Sequence, residues 1–257
     1  MSTKPTNEQA VSHLDATLVA NFTHQIINPL NGVVGTIDNL IDGTIGGDRR
    51  EQRLRAVRAQ LQHTIELVRN LAFLSQITTA AGKQSLRELG GECLLPGVII
   101  EAAMFFQEVA AERRIRIDLA DRQTQYVLYG HRDLLRQVFT NLFENAVKYG
   151  DSDSRVHISP HLQKRTGSLI VEVTNKGEGF EFEERYSIFL RGYRGDSARE
   201  RVASGSGLGL YLCHEILEAA FGASIEGEHS KARRETTFRI RFPRFTIDSR
   251  EREGEVR

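Results

Sequence analysis

Apolar residues recur every three or four positions between Glu8 and Ile41, at Leu14, Leu18, Phe22, Ile26, Leu30, Val33, Ile37 and Leu40. That helical period constrains the fold more than any other feature of the chain. One long helix is the simplest structure with such a stripe. Pro29 lies inside it and removes one backbone hydrogen bond, so a bend is expected, not an end, because the pattern continues on both sides. After a Gly-rich turn from Gly43 to Asp48, a second stripe runs through Leu54, Val57, Leu61, Ile65, Val68 and Leu71 at near-heptad spacing. The two helices are expected to form an antiparallel hairpin. A lone hairpin cannot bury stripes this long, so a symmetric pairing with a second copy into a dimeric four-helix bundle is expected.

Ala80 to Gly91 places Gly82, Gly90 and Gly91 among polar residues and reads as a linker. Beyond Glu92 the period changes. Helical stretches at about Gly97 to Arg113, Arg132 to Lys148 and Leu208 to Phe221 alternate with β-branched or period-two runs at Ile115 to Leu119, Val156 to Leu162, Leu169 to Thr174 and Thr236 to Phe242. This predicts an α+β chain: a helical hairpin over residues 8–80, then an α/β sandwich over 92–243 with one sheet covered by helices, then a charged tail over 244–257 that frays.

With 34 acidic and 34 basic residues the formal charge is zero, so no net positive field holds a nucleic acid or an anionic membrane. Binding has to come from shaped sites. The longest mostly apolar stretch, Cys93 to Phe106, is broken by Pro96, Gly97 and Glu101 and is too short to span a bilayer. The N-terminus carries no signal-peptide pattern, so a cytoplasmic location is expected. Cys93 and Cys213 have no metal spacing and are expected to be reduced and structural.

On the first helix, Thr17, His24, Asn28, Asn31 and Gly35 fall within about 60° of one another, opposite the apolar stripe. Neutral imidazole is a nucleophile near pH 7, since its pKa sits near ~6.5, so an exposed helical histidine can accept a phosphoryl group. The other seven histidines, at 13, 63, 131, 157, 161, 214 and 229, read as ordinary side chains.

Downstream, Asn141, Asn145 and Lys148 share a helical face at i, i+4 and i+7, while Leu142, Ala146 and Val147 turn toward the core. Amide oxygens suit Mg²⁺, which keeps several waters, and a lysine meets phosphate as a point charge. Asn175-Lys-Gly177-Glu-Gly179 follows a strand, and its glycines permit close backbone approach to a planar ligand. Gly205-Ser-Gly207-Leu-Gly209 leads directly into a helix, whose positive end suits an anion. Between these clusters, the polar segment from Arg191 to Arg201 suits a mobile cover over a nucleotide. The Walker and dinucleotide-binding signatures are absent.

Read in order, together with Phe22-Thr-His-Gln-Ile-Ile-Asn-Pro-Leu-Asn-Gly and Ile188-Phe-Leu-Arg-Gly-Tyr-Arg-Gly195, these motifs resemble the transmitter core of two-component sensor histidine kinases. The catalytic half is similar to the ATPase fold shared by gyrase, Hsp90, histidine kinases and MutL. The resemblance spans residues 10–243 and implies an ATP- and Mg²⁺-dependent homodimeric kinase that phosphorylates His24 and passes the phosphoryl group to an aspartate of a response regulator. It further implies that Asn28 positions water when the partner is dephosphorylated, and that Asn145 is the Mg²⁺ ligand. Asn141, Lys148 and Tyr149 would line the triphosphate. Arg194 would meet the γ-phosphate, with Arg191 beside it among the nucleotide-binding residues. Asn175 would contact the adenine amino group, and Gly177, Gly179, Gly205, Gly207 and Gly209 would shape the pocket.

Three positions depart from the family pattern. Gln25 stands where an acid usually follows the histidine; an amide cannot take the imidazole proton, which would slow autophosphorylation by up to roughly 10² to 10⁴-fold if that role is essential. Asn175 replaces an aspartate and loses charge assistance. Ile27 stands where a basic residue is common. Gln25 keeps a second reading open, a nucleotide-binding dimeric scaffold or a kinase in which phosphatase activity dominates. A serine kinase on the same ATPase fold has no need of the N-terminal hairpin.

Overall fold

The computed structural model describes residues 16–44, 46–77, 84–86, 90–195 and 207–247, and at some helical positions, among them Thr17, His24 and Gln25, the backbone alone. Leu14, residues 80–83 and 87–89 of the expected linker, Arg199, Arg201, Gly205 and the tail from residue 248 lie outside the described residues. The chain divides into two compact units, Met1–Lys83 and Gln84–Arg257.

In the first unit, α1 (Ala16–Ile41) and α2 (Asp48–Ile77) pack against each other, and α1 continues through Pro29. Gly32 lies so close to Gln60 that an added Cβ would sit 3.6 Å from its amide. Val33, Val57, Thr64 and Leu67 are buried. Much of the apolar stripe remains outside: Leu30, Ile37, Leu54, Leu61, Ile65 and Val68 are exposed, joined by Ile27, Val34 and Ile41. Two helices meet along one seam only, so a stripe wider than that seam has no cover within the hairpin.

The second unit holds β1 (Gly91–Leu94), α3 (Leu95–Met104), α4 (Gln107–Glu112), β2 (Arg116–Leu119), β3 (Tyr126–Gly130), α5 (Arg132–Tyr149), β4 (Arg155–Gln163), β5 (Ser168–Lys176), α6 (Gly209–Phe221), β6 (Ser224–Ser230), β7 (Glu235–Phe242) and β8 (Thr246–Ile247). A five-stranded sheet runs β2-β4-β5-β7-β6, with β2 parallel to β4 and the other pairs antiparallel. β7 alternates strictly, burying Thr236, Phe238, Ile240 and Phe242. Its opposite face is polar, where Arg239 pairs with Glu172 at 2.8 Å and Glu226 at 3.4 Å. Helices α3 and α6 both pack on α5, and Leu95, Ile99, Leu135, Phe139, Leu142 and Phe143 are fully buried.

Four expectations need correction. The sandwich has a second sheet, β1-β3-β8, where one sheet was expected. The helix expected from Gly97 to Arg113 breaks at Phe105 and Phe106 into α3 and α4. Gly91 belongs to a strand, not to a linker, and the expected tail begins with a strand, β8, that pairs with β3. Among the described residues no helix is long and apolar enough to cross a membrane.

Candidate functional site

Helix α5 is the spine of the site. Its apolar face is buried through Leu135, Val138, Phe139, Leu142, Phe143, Ala146 and Val147, which leaves Asn145, Lys148 and Tyr149 half-buried on the other side. Asp133 in the first turn and Lys148 in the last both complement the helix dipole. Asn141 lies one turn before Asn145 on the same helix. It is buried, 6% exposed, and its Nδ2 donates to the carbonyl of Gly209 at 3.2 Å, so its amide group ties α5 to the start of α6.

A second clamp holds the C-terminal end of α5. Gly150 and Gly177 form an isolated bridge, and the Asp151 N–H donates to the Lys176 carbonyl at 2.9 Å. Both glycines are demanded by contact: a Cβ on Gly150 would lie 2.3 Å from the Ala146 carbonyl oxygen, and one on Gly177 would lie 2.4 Å from that of Tyr149. The Arg113 guanidinium donates to the carbonyls of Val147, Lys148 (3.2 Å) and Gly150 (2.8 Å), which satisfies acceptors that a helix end leaves open.

The bridge brings Lys148 and Tyr149 beside the turn that follows β5. Asn175 is 5% exposed and lies directly opposite Thr236, also 5% exposed, across the β5–β7 pair. Gly179 packs on His229, where a Cβ would fall 2.1 Å from Nδ1. That Nδ1 is hydrogen-bonded to the Thr236 hydroxyl at 3.0 Å. Burial pushes the His229 pKa down, more than its bond to the Glu235 carbonyl and the nearby Glu181 raise it; Lys231 and Arg234 push it the same way as burial. His229 and Thr236 were missed in the sequence, because a histidine and a threonine on separate strands carry no motif. The pairing of residue 175 with 236 was the missing signal.

The third clamp closes the segment between the two glycine clusters. The Gly192 N–H donates to the Gly207 carbonyl at 3.1 Å, and a Cβ on Gly207, whose φ is +67°, would lie 2.6 Å from the Gly192 carbonyl carbon. Tyr193 donates its hydroxyl to Glu184 at 2.7 Å. Helix α6 then starts at Gly209, preceded by Leu208, whose side chain has no polar atom to cap it. Burial lowers the Lys148 pKa; the Arg194 charge pushes it the same way, against Glu144. Two cations that feel each other across a half-buried site favour an anion between them. Arg191 is exposed and acts on Tyr211 of α6, partly opposing the rise that burial and Glu215 cause in that hydroxyl.

In the first unit, Asn28, Asn31 and Gly35 are exposed on α1, and nothing lies within 4 Å of a Cβ added at Gly35. His24 and Gln25 fall on the same helix, with their side chains outside the description.

Residues 130–246, from the end of β3 through the start of β8, match the family described as histidine kinase-, DNA gyrase B-, and HSP90-like ATPase. Over 218 residues, 83% of this chain, the sequence is 30% identical to the sensor histidine kinase AruS of Pseudomonas aeruginosa. The second unit thus carries an ATPase domain of this family, similar to that of sensor histidine kinases. The chain spans 21% of the length of AruS. Part of ShkA, solved at full length in complex with AMPPNP, is similar in fold, with a TM-score of 0.59 and 20% identity over 89% of this chain and 46% of that one. Histidine kinase ThkA, solved in complex with the response regulator protein TrrA, gives 0.55 and 20% over 91% of this chain and 63% of its own.

Proposed function

We propose that this chain is the transmitter part of a sensor histidine kinase that binds Mg²⁺-ATP in its second unit, phosphorylates His24, and passes the phosphoryl group to an aspartate of a response regulator. The observation that carries the reading is the convergence of three clamps on helix α5 and the glycine clusters: Asn141 to Gly209, Gly150 to Gly177, and Gly192 to Gly207. They gather a buried amide, two close-approach turns, a helix start and two cations within one unit, which is the inventory a nucleoside triphosphate needs.

In this reading Asn175 receives the base, and Lys148, Tyr149 and Arg194 meet the triphosphate, with Arg191, Gly205, Gly207 and Gly209 around it. The half-buried Asn145 offers a neutral amide oxygen beside Lys148, a donor that fits Mg²⁺ with its remaining waters. When bound, the ion neutralises charge on the phosphates. A ring nitrogen of His24 forms the new P–N bond as the bond to the β–γ bridging oxygen breaks and ADP leaves. The second transfer breaks that P–N bond and forms an acyl phosphate on the partner. Asn28, exposed four residues from His24, positions water for the hydrolysis of that acyl phosphate. Support for a homodimer comes from the uncovered stripe, where Val34 is 56%, Ile65 53% and Val68 49% exposed.

Incubation with γ-labelled ATP tests the scheme: acid-labile label is expected on the wild type and none on His24→Ala. Label that survives the substitution removes His24 from the scheme. Gln25→Glu is expected to speed labelling, by up to about 10²-fold, since it restores a proton acceptor beside the imidazole; an equal rate shows that no such base is needed. Gln25 also favours the second reading, a scaffold or phosphatase-dominant protein, for which the diagnostic result is bound ATP without any acid-labile label.

A further inference from the structure

Asn175 sits one residue from the end of β5, where its register neighbours are Val156 on β4 and Thr236 on β7. Neither carries a charge, and the Thr236 hydroxyl is engaged by His229, which burial favours in its neutral form. The amide therefore stands at a buried position with no ionised group in register to impose a polarity on it. A carboxylate there accepts hydrogen bonds only, so it suits a 6-amino group and repels a 6-oxo group. A carboxamide carries an acceptor and a donor on the same planar head, and half a turn about its last torsion exchanges them. The turn gives up the bond from the amide nitrogen to the Lys176 carbonyl, which at 3.4 Å is longer than the ordinary range, and sets Oδ1 facing that carbonyl oxygen at a similar distance, where the repulsion of two acceptors is weak.

We propose that Asn175 reads the 6-position of a purine in either polarity, so that this site binds 6-oxopurine nucleoside triphosphates alongside ATP. Oδ1 accepts from a 6-amino group, and Nδ2, after the turn, donates to a 6-oxo group. The inference rests on the nucleotide site proposed above and adds its base specificity.

Direct calorimetric titration of the full chain with Mg²⁺-ATP and Mg²⁺-ITP tests it. ITP is the probe because it changes the 6-position without adding the 2-amino group of guanine. The expected result is ITP affinity within about tenfold of ATP, the span of one neutral hydrogen bond, and a ratio that widens at least about tenfold in Asn175→Asp. ATP binding with ITP weaker by more than about tenfold overturns the inference and leaves the ATP site standing. An unchanged ratio in a folded Asn175→Asp protein also overturns it. If that variant does not fold, the wild-type ratio decides alone. Absence of binding by either nucleotide overturns the site itself, and the inference with it.

Discussion

A methyl group added at Gly179 would fall 2.1 Å from Nδ1 of His229, and that ring is held by Thr236 on the neighbouring strand. Gly179→Ala is therefore expected to shift the turn that follows Asn175 and to cut autophosphorylation by about 10²-fold while the fold, followed by circular dichroism, persists. The double variant with His229→Ala makes room for the methyl group and is expected to recover most of the rate, whereas two independent losses would add. His229 also predicts a pH dependence. Its folded pKa is lowered, chiefly by burial, so the unfolded chain takes up the proton first as pH falls. Stability from this residue is complete above its ordinary value of ~6.5 and declines through that value until the folded group protonates in turn. Urea midpoints of wild type and His229→Ala, measured from pH 8 to pH 5, should converge toward acid; parallel curves would show that the ring does not titrate on unfolding. At this scale the sequence was legible where a motif is contiguous, as at Asn175, Gly177 and Gly179, and silent where the partner lies on another strand, as with His229 and Thr236.

Among the elements, α5 shows how far local pattern reaches. Its i, i+4, i+7 spacing places Asn145 and Lys148 on the half-buried side, but Asn141 at the same spacing is drawn under α6. Periodicity assigns a face, and the neighbouring helix decides how much of that face it covers. The end of α5 depends on Arg113, more than thirty residues upstream, with a charged donor on three carbonyls. Arg113→Ala is expected to lower stability by about 2–3 kcal/mol, the scale of hydrogen bonds to a charged group, read as a drop in denaturant midpoint with an unchanged slope. A loss within error would mean that water replaces the guanidinium without cost. The small sheet escaped notice for a related reason. β3 reads Tyr-Val-Leu-Tyr-Gly, a run with almost every side chain buried, and such a run cannot be told from a buried helix by its period. The break at Phe105 and Phe106 has no glycine or proline to announce it.

For the whole molecule, the exposed stripe on α1 and α2 is the feature most at odds with an isolated chain. Sedimentation analysis is expected to find a dimer, and the pair Val34→Asp with Ile65→Glu is expected to shift it to monomer, because burying two unpaired carboxylates in a bundle core is unfavourable. A monomeric wild type would refute the pairing. The N–H and carbonyl contacts of the second unit should survive in that variant, so ATP binding is expected to persist where labelling falls.

The order of motifs, the helical period before residue 80 and the alternation after it were written in the chain itself, because each depends on neighbours within a few residues. Asn141 meeting Gly209, Gly150 meeting Gly177, and Gly192 meeting Gly207 were decided only by the tertiary structure. Such meetings join segments whose closeness is set by strand register and helix packing, and a local pattern records which residues can approach but not which partner they reach.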